Sequence, residues 1–320
     1  MCHSYGINHH RTTTMNEAQT LLAIENLMKK VMKKNYHWQD LDTEMDHYSE
    51  YTESFFRSNR EYSPLVHAYF DMQAKRKVMI GDEMFYRRAV FQKFQSDLRA
   101  CHEEFVNEFY ENNQKNRKSL FKYFDRLIER HCKLLLVRVD LSYLPGRDPS
   151  IERFTQDIKR LIKRVQDKDT IFKDQVGYVY RLEQGGESSG YHCHLLVIYN
   201  GSLRWNANYL AMRIREIWHE KITGGDGKFF NCHQADYKKD LQQRDQWGLE
   251  LLERSDLDKR RKAQKMLGYL AKPEKNNDQY IRGPLLGMRQ FRKGQLKKEQ
   301  RKRKNHRSQK NIDIHHLHEQ

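Results

Sequence analysis

The sequence predicts an α+β fold whose antiparallel sheet follows the chain order strand, helix, strand, strand, helix, strand. Short runs of branched apolar residues, which are typical of strands, begin at residue 134. Two segments with helical periodicity separate those runs, and a helix-rich half precedes them. This order of elements is that of the split βαβ, or ferredoxin-like, arrangement.

Residues 1–130 are predicted to form a helical extension. Thr14 and Glu17 match a capping box ahead of an apolar run with helical spacing. Ser63 and Pro64 match an N-cap followed by proline at the first helical position. No residue of this half resembles an active-site residue, so a packing role is expected for it. Two more helices are predicted, over residues 83–110 and 117–130.

Residues 131–288 are predicted to hold the sheet and the functional site. Turn signals bound the segments, among them the glycine-rich stretch 184–190. The two strands on either side of that stretch are expected to form a hairpin. The predicted elements are a strand at 134–141, a helix at 151–165, strands at 176–183 and 191–199, a helix at 206–221, a weak strand at 228–234 and a helix at 257–271.

Residues 289–320 form a strongly basic tail. The whole chain of 320 residues carries a net charge of +16, which favours a polyanionic partner, nucleic acid first and an anionic membrane second. A run of this kind is typical of a solvated, disordered end and is equally compatible with holding phosphates. Arg289, Arg292 and Lys293 are therefore candidate nucleic-acid-binding residues.

The sequence shows no sign of a membrane span or of a disulfide framework. No apolar run approaches the roughly 20 residues of a spanning helix, and the first residues lack the apolar stretch of a signal peptide. The five cysteines include no C-x-x-C pair, so neither a disulfide framework nor a zinc ribbon is indicated. A cytoplasmic protein with no membrane partner is expected.

The predicted hairpin carries a candidate metal site. Side chains alternate between the two faces of a strand, so His192 and His194 share one face while Cys193 points to the other. The hairpin can return Glu183 to the face of the histidines. Two imidazoles and one carboxylate with open positions suit Mg²⁺, Mn²⁺ or a similar divalent ion that must still bind a substrate oxygen. The alternative is a hairpin with surface histidines.

Other residues of the hairpin are candidates for nucleic-acid contacts. Arg181 lies on the predicted face of Glu183 and is a candidate phosphate contact. Four tyrosines of the hairpin could stack on unpaired bases, although aromatic residues on strands next to helices are more often part of the core. These tyrosines are Tyr178, Tyr180, Tyr191 and Tyr199.

A second candidate element follows the hairpin at residues 268–273. If the last predicted helix extends this far, Tyr269 and Lys272 lie on one helical face at positions i and i+3. Phenols are weak nucleophiles at neutral pH, and a neighbouring ammonium favours the ionised form or binds a phosphate oxygen. This spacing occurs by chance in many proteins, and it gains weight here because it follows the hairpin.

Together these residues resemble the HUH family of rolling-circle replication initiators. His192, Cys193 and His194 are similar to the histidine motif of that family, and Tyr269 with Lys272 is similar to its Y-x-x-K motif. Within the family, the pattern is similar to the inovirus-type initiators and their prophage-encoded relatives. The resemblance spans about residues 132–289. It leaves the helical half unexplained.

The resemblance has two further features. Glu183 stands where proteins of this family often supply a third metal ligand, ahead of the histidine pair. A single tyrosine occupies the motif, which is similar to the single-tyrosine initiators. Tyr280 is the only nearby second candidate, and its spacing from Tyr269 fits no shared helical face.

The resemblance implies a metal-dependent DNA endonuclease that nicks single-stranded or hairpin DNA at a replication origin in a bacterial host. It implies that Glu183, His192 and His194 hold Mg²⁺ or Mn²⁺. It also implies that Tyr269 forms a 5′-phosphotyrosine and that Lys272 stabilises charge. The free 3′-hydroxyl then primes a polymerase, so the host helicase and polymerase are implied partners.

Three other readings compete with this one. A non-catalytic nucleic-acid-binding protein of RRM-like fold would use the same charge and fold without needing the histidine pair or Tyr269. An HUH transposase or relaxase would keep the chemistry and change the partners. A zinc protein is the third, suggested by adjacent cysteine and histidine residues such as Cys232 and His233, but no zinc-finger spacing emerges.

Overall fold

The computed structural model describes residues 15–49, 57–78, 88–185, 190–271 and 280–296. Within these ranges the chain forms one antiparallel sheet with helices on both faces, which confirms the predicted α+β class. None of the helices in these ranges combines the length and the apolar character that crossing a membrane requires.

The sheet has six strands, and every pairing between them is antiparallel. The strands are β1 (Lys133–Tyr143), β2 (Gln175–Gln184), β3 (Tyr191–Asn200), β4 (Gly227–Asn231), β5 (Glu250–Glu253) and β6 (Phe291–Lys293). Their order across the sheet is β4-β1-β3-β2-β6, and β5 also pairs with β1. The strands with the most apolar sequences, β1 and β3, therefore lie in the centre.

One edge of β1 is shared by two short strands. β5 pairs with residues 133–136 of β1, and β4 pairs with residues 139–143. In the gap between them, the backbone N–H of Arg138 donates a hydrogen bond to Nε2 of His233 at 3.1 Å. A buried backbone N–H without a partner is costly, so His233 completes the edge where the strand pairing changes.

Eight α-helices are assigned within the described ranges. They are α1 (Glu17–Val31), α2 (Leu41–Asp46), α3 (Pro64–Val78), α4 (Arg88–Arg130), α5 (Ile151–Gln166), α6 (Ala207–Glu216), α7 (Ala235–Gln243) and α8 (Leu257–Ala271). A π-helix at Ile217–Ile222 continues α6. Neither α7 nor β5 was predicted from the sequence, because α7 buries no side chain and β5 is only four residues long.

The helices divide between the two faces of the sheet. On one face, α5 and α6 pack against Val139, Cys193, Leu195 and their neighbours. We call this the apolar face. On the other face, the second half of α4 and all of α8 pack against Leu136, Leu196 and other apolar residues. We call this the site face, because it carries the functional side chains described below.

Residues 83–110 and 117–130, predicted to be separate helices, belong from Arg88 onward to the single helix α4 of 43 residues. Its first half packs with α1 to α3 through Phe91 and Leu98, and its second half packs on the sheet through Phe124 and Leu127. The residues between, 111–118, are all polar or charged. They give no apolar periodicity, so the sequence indicated a break where the helix continues.

The start of α1 also differs from the prediction. The capping box is formed by Asn16 and Gln19, each side chain accepting a hydrogen bond from the other's backbone N–H. Glu17 is the first helical residue, and Thr14 lies outside the described residues. The prediction of a helix start at Pro64 is confirmed by α3.

Buried charged residues join the helical half to the sheet half. Glu25 of α1 accepts hydrogen bonds from Nε of Arg282 at 2.7 Å and from the Tyr280 hydroxyl at 2.6 Å. Glu17 accepts one from the hydroxyl of Tyr191 on β3 at 2.8 Å. Breaking a buried pair leaves an uncompensated charge, so these contacts hold the two halves in one arrangement.

The basic tail was predicted to begin at Arg289, but the fold extends further. Residues 291–293 form β6, which pairs with β2. Phe291 packs against the core of the site face, and this apolar contact together with the open edge of β2 explains why the segment is ordered. The rest of the predicted tail, residues 297–320, lies outside the described residues.

Candidate metal centre

Three neighbouring strands each carry two polar residues at alternate positions near one end of the sheet. Residues two apart on a strand lie on the same face. All three pairs lie on the site face, because apolar residues in the same alternation, such as Leu136, Val179 and Leu196, belong to its core. The pairs are Arg138 and Asp140 on β1, Arg181 and Glu183 on β2, and His192 and His194 on β3.

The register of the sheet aligns these residues in two cross-strand rows. His194 lies between Asp140 on one side and Arg181 on the other. His192 lies opposite Glu183 in the next row. Directly opposed residues in an antiparallel sheet have Cβ atoms about 4.5–5.5 Å apart, so the strand pairing alone brings these side chains into contact.

The three predicted ligands converge. Glu183 Oε2 lies 3.0 Å from Nε2 of His194 and 3.7 Å from Nε2 of His192. Glu183, His192 and His194 each offer a ligand atom, and these atoms lie within 4.8 Å of one another. Among the described residues, these three are the histidine, cysteine or acidic side chains that lie close enough together to hold a metal ion.

The donor set fits a divalent ion that keeps open coordination positions. Glu183 is buried, while both histidines are partly exposed, so an ion held here is reachable from solvent on one side. Imidazole nitrogen suits zinc, iron, nickel and copper ions, and the carboxylate suits Mg²⁺ and Mn²⁺. No cysteine of the described residues joins the cluster, and Cys193 is buried on the apolar face, so the cysteine–histidine pairs noted in the sequence do not form this site.

Asp140 forms a second layer around His194. Its Oδ1 lies 2.8 Å from Nδ1 of His194, and Arg138 Nε lies 3.3 Å from the same oxygen. A carboxylate on the distal nitrogen fixes the ring orientation and the tautomer of a histidine ligand. Sequence reasoning missed both residues. The signal was the alternation in Val137-Arg138-Val139-Asp140-Leu141, where two charged residues interrupt an otherwise apolar central strand.

Arg181 has a different role from the predicted phosphate contact. Its side chain is 1% exposed. Nε lies 2.9 Å from Glu183 Oε1, and Nη1 donates to the Asn113 side chain at 3.2 Å and to the Ala271 carbonyl at 3.3 Å. A guanidinium buried among these acceptors is closed to an incoming phosphate. Arg181 instead positions Glu183 and ties the sheet to α4 and α8.

The charged side chains of the cluster shift one another's pKa values. Burial alone would raise the pKa of Glu183, but hydrogen bonds from His192 and His194 and the charges of His194 and Arg181 hold it well below its ordinary value. Burial alone would lower the pKa of His194, yet Asp140 and Glu183 raise it to about 9. A metal ion that binds at Nε2 would therefore displace the proton that this nitrogen shares with Glu183.

Tyr269 is carried by α8, which packs on the site face. The helix ends two residues later at Ala271, whose carbonyl accepts from Arg181, and Arg181 in turn pairs with Glu183. Tyr269 is 39% exposed, although its helical neighbours Gly268 and Leu270 are buried. The structure therefore puts the tyrosine-bearing helix end and the candidate metal cluster on the same face. Lys272 lies outside the described residues.

The other aromatic candidates lie in the core. Tyr178, Tyr180, Tyr191 and Tyr199 are all buried on the apolar face, away from the cluster. The alternation of the strands explains this, since each is out of phase with Glu183 or with the histidines. Tyr280 is also buried, and its hydroxyl is bound to Glu25.

The three basic candidates lie around β6 at the edge of the sheet. Arg289 and Arg292 are exposed. Lys293 pairs with Val179 in the sheet and is half-buried, with its ammonium 5.0 Å from the centre of the Tyr123 ring. All three line a groove that is separate from the metal cluster.

One comparison with known proteins gives a match. The family model described as the YagK/YfjJ C-terminal domain matches residues 101–282, which is more than half of the chain. The matched span contains the cluster and Tyr269, and the description of the family names no activity. No curated protein and no solved structure matches the chain.

Proposed function

The chain belongs to the YagK/YfjJ C-terminal domain family, and we propose that it is a metal-dependent DNA nickase of the HUH type that opens one strand at a replication origin. The observation that carries this proposal is the docking of α8 on the site face. A helix bearing Tyr269 ends at the arginine that pairs with Glu183, and Glu183 belongs to the candidate metal cluster.

The topology supports the same proposal. The strand order β4-β1-β3-β2, with α5 and α6 as the two connections on one face, is the order that a ferredoxin-like split βαβ unit has. In such a unit the central strands β1 and β3 place their side chains at the middle of the open face. The cluster lies in this position, and α4 and α8 pack on the same face of the sheet.

The ion would be held by Glu183, His192 and His194. Bound there, it supplies Lewis-acid polarisation of a phosphate oxygen. Asp140 holds the His194 ring in place from the distal nitrogen, and Arg181 holds Glu183. These two contacts fix the orientation of the His194 ring and of the Glu183 carboxylate, so that the site is preorganised for an ion.

The proposed chemical step is a transesterification. The phenol oxygen of Tyr269 attacks the scissile phosphorus, and the bond from phosphorus to the 3′-oxygen of the preceding nucleotide breaks. The phenol loses a proton, and the leaving 3′-oxygen gains one. A 5′-phosphotyrosine and a free 3′-hydroxyl result. No oxidant, reductant or ATP is needed, and reversal rejoins the strand. The 3′-hydroxyl is then the primer for a host polymerase.

The test is covalent capture of a labelled strand. Purified protein is incubated with Mn²⁺ and a pool of single-stranded hairpin oligonucleotides labelled at the 3′ end, and then separated on a denaturing gel. We expect labelled protein with the wild type, none with Tyr269→Phe and none after chelation of the metal. Tyr209→Phe is the matched control, because Tyr209 is also exposed on a helix but lies on α6. An adduct of wild-type yield with Tyr269→Phe would exclude Tyr269 as the nucleophile.

A further inference from the structure

A groove with basic side chains lies at the edge of the sheet formed by β6. It is a groove of about 850 Å³ between the second half of α4, the turn that follows α5, and residues 289–296. Its floor includes Gly177 and Tyr178 of β2, near the start of that strand. Neither the metal cluster nor Tyr269 lines it.

Basic side chains in the groove lie among neutral ones. None of the described residues that line it is Asp or Glu. Among the described residues, Lys168, Arg292 and Lys293 have no carboxylate within ion-pair distance, whereas most basic residues on α5 are paired with an acid. Cations held together without counter-charges repel one another, and a bound polyanion removes that cost. The basic lining residues are Arg130, His131, Lys168, Arg289, Arg292 and Lys293.

The position of the groove relates it to the metal cluster. Tyr178 and Glu183 lie on the same strand, five residues or about 16 Å apart along it. Asn116 lines the groove and lies one helical turn beyond Asn113, which binds Arg181. Phe291 lines the groove and pairs with Arg181 across the sheet. The groove thus begins beside the residues that hold Glu183 and extends away from them.

We propose that this groove binds the sugar-phosphate backbone of a single nucleic-acid strand, several nucleotides away from the position that is cut. The inference rests on the proposed function for the identity of that strand as the nicked DNA. The five arginine and lysine residues spread along this groove match the repeating charge of a backbone better than a single small anion.

The burial of Lys293 is consistent with this role. Burial lowers the pKa of its ammonium, and the charge of Arg126 lowers it further. A half-buried ammonium is incompletely hydrated, so a phosphate oxygen can pair with it at a smaller desolvation cost than with a fully hydrated lysine.

The experiment measures binding without cutting. A fluorescein-labelled 20-nucleotide single-stranded DNA is titrated with protein carrying Tyr269→Phe, in EDTA, at several salt concentrations, by anisotropy. The test variant is Arg289→Gln with Arg292→Gln. The matched control is Arg215→Gln with Lys221→Gln, which removes two exposed charges from the layer on the apolar face. Thermal unfolding of both variants is compared, so that loss of fold is not mistaken for loss of binding.

We expect the groove variant to bind about tenfold more weakly at 0.15 M salt, and the slope of log K against log salt to fall by about 1.4 in magnitude, about 0.7 for each lost phosphate contact. The control should stay within about twofold of the parent. Equal affinities of the groove and control variants overturn the inference. Anionic vesicles that displace the labelled strand better than unlabelled DNA of equal phosphate content also overturn it.

The two proposals fail separately. If the wild type forms no covalent adduct with Mn²⁺ but the groove variant loses binding in EDTA, the nickase is wrong and the groove stands as a nucleic-acid site. If the adduct forms and the groove variant binds like its control, the nickase stands and the groove is wrong.

Discussion

The two faces of the sheet are built from the same strands and have opposite characters. On β3, Cys193 and Leu195 point to the apolar face and are buried under α5 and α6. His192 and His194 point to the site face, where they meet Glu183. A shift of one residue in the register would exchange these two sets. The position of each candidate ligand therefore depends on strand phase as much as on residue type.

The site face is itself divided along the strands. Toward one end, Leu136, Val179 and Leu196 form a closed core under α4 and α8. Toward the other end, the same face carries the polar pairs of β1, β2 and β3, which lie next to that core. An apolar neighbour strengthens electrostatic interactions because it excludes water. This contrast explains why the pKa values of Glu183 and His194 move so far from their ordinary values.

The largest expected difference between substitutions on the two faces is in their effect on metal affinity. His194→Ala removes a ligand at the centre of the cluster, so we expect the affinity for Mn²⁺, measured by calorimetry, to fall at least 100-fold. Cys193→Ala, one residue away on the apolar face, should lower the free energy of unfolding by about 1 kcal/mol and leave Mn²⁺ affinity within twofold. Similar losses of affinity in both variants would contradict the assignment of the faces.

The next effect concerns the second layer. Asp140→Asn removes the charge that holds His194 and should weaken Mn²⁺ binding about 10–100-fold. Asp157→Asn is the matched control. Asp157 pairs with a tyrosine and an arginine, as Asp140 pairs with a histidine and an arginine, but it lies on α5 under the apolar face. It should leave the affinity unchanged. Unchanged affinity in Asp140→Asn would show that Asp140 does not position the ligand.

A pH effect is expected from His233 at the edge of β1. Burial lowers its pKa to about 4, and its Nε2 accepts from the Arg138 N–H, so the folded protein holds it neutral. The unfolded chain takes up a proton near pH 6.5. The stabilising contribution is thus complete above pH 6.5 and is lost as the pH falls toward 4, at about 1.4 kcal/mol per unit.

The measurement for His233 is urea unfolding at pH 7.5 and pH 5. His233→Gln keeps an acceptor and does not titrate, so it isolates this residue from the other groups that titrate over the same range. We expect the wild type to lose about 2 kcal/mol more than the variant between the two pH values. An equal loss in both proteins would show that His233 contributes nothing to the pH dependence.

The smallest effect tests the link between the apolar face and the helical half. Tyr191→Phe removes one hydrogen bond to Glu17, which keeps its ion pair with Arg60 at 2.7 Å. Because the carboxylate remains paired, we expect a loss of about 1 kcal/mol in the free energy of unfolding, measured in urea. Mn²⁺ affinity should not change. A change in Mn²⁺ affinity would show that this contact on the apolar face influences the cluster on the site face.

Strand phase explains how much of the site could be predicted. The alternation in Tyr191-His192-Cys193-His194 put both histidines on one face, and a short hairpin limited where Glu183 could lie. The structure brings these three residues together, at the predicted positions in β2 and β3. Local patterns sufficed because all three belong to one hairpin.

The contacts that support the site could not be predicted in the same way. Asn113 binds Arg181 from 68 positions away in the sequence, and no pattern within either segment announces the contact. The sequence predicted that Arg181 contacts a phosphate, because it shares a strand face with Glu183. Its burial follows from the tertiary packing of α4 and α8, which adds acceptors that the strand itself does not contain.

The single helix α4 has a mechanical consequence. Its 43 residues make a rod about 65 Å long, held at one end by α1 to α3 and at the other by the sheet. Asn113 lies between these two anchorages and holds the guanidinium that aims Glu183. A partner that bound α1 to α3 and tilted this helix would therefore shift Arg181 and, through it, the carboxylate of Glu183.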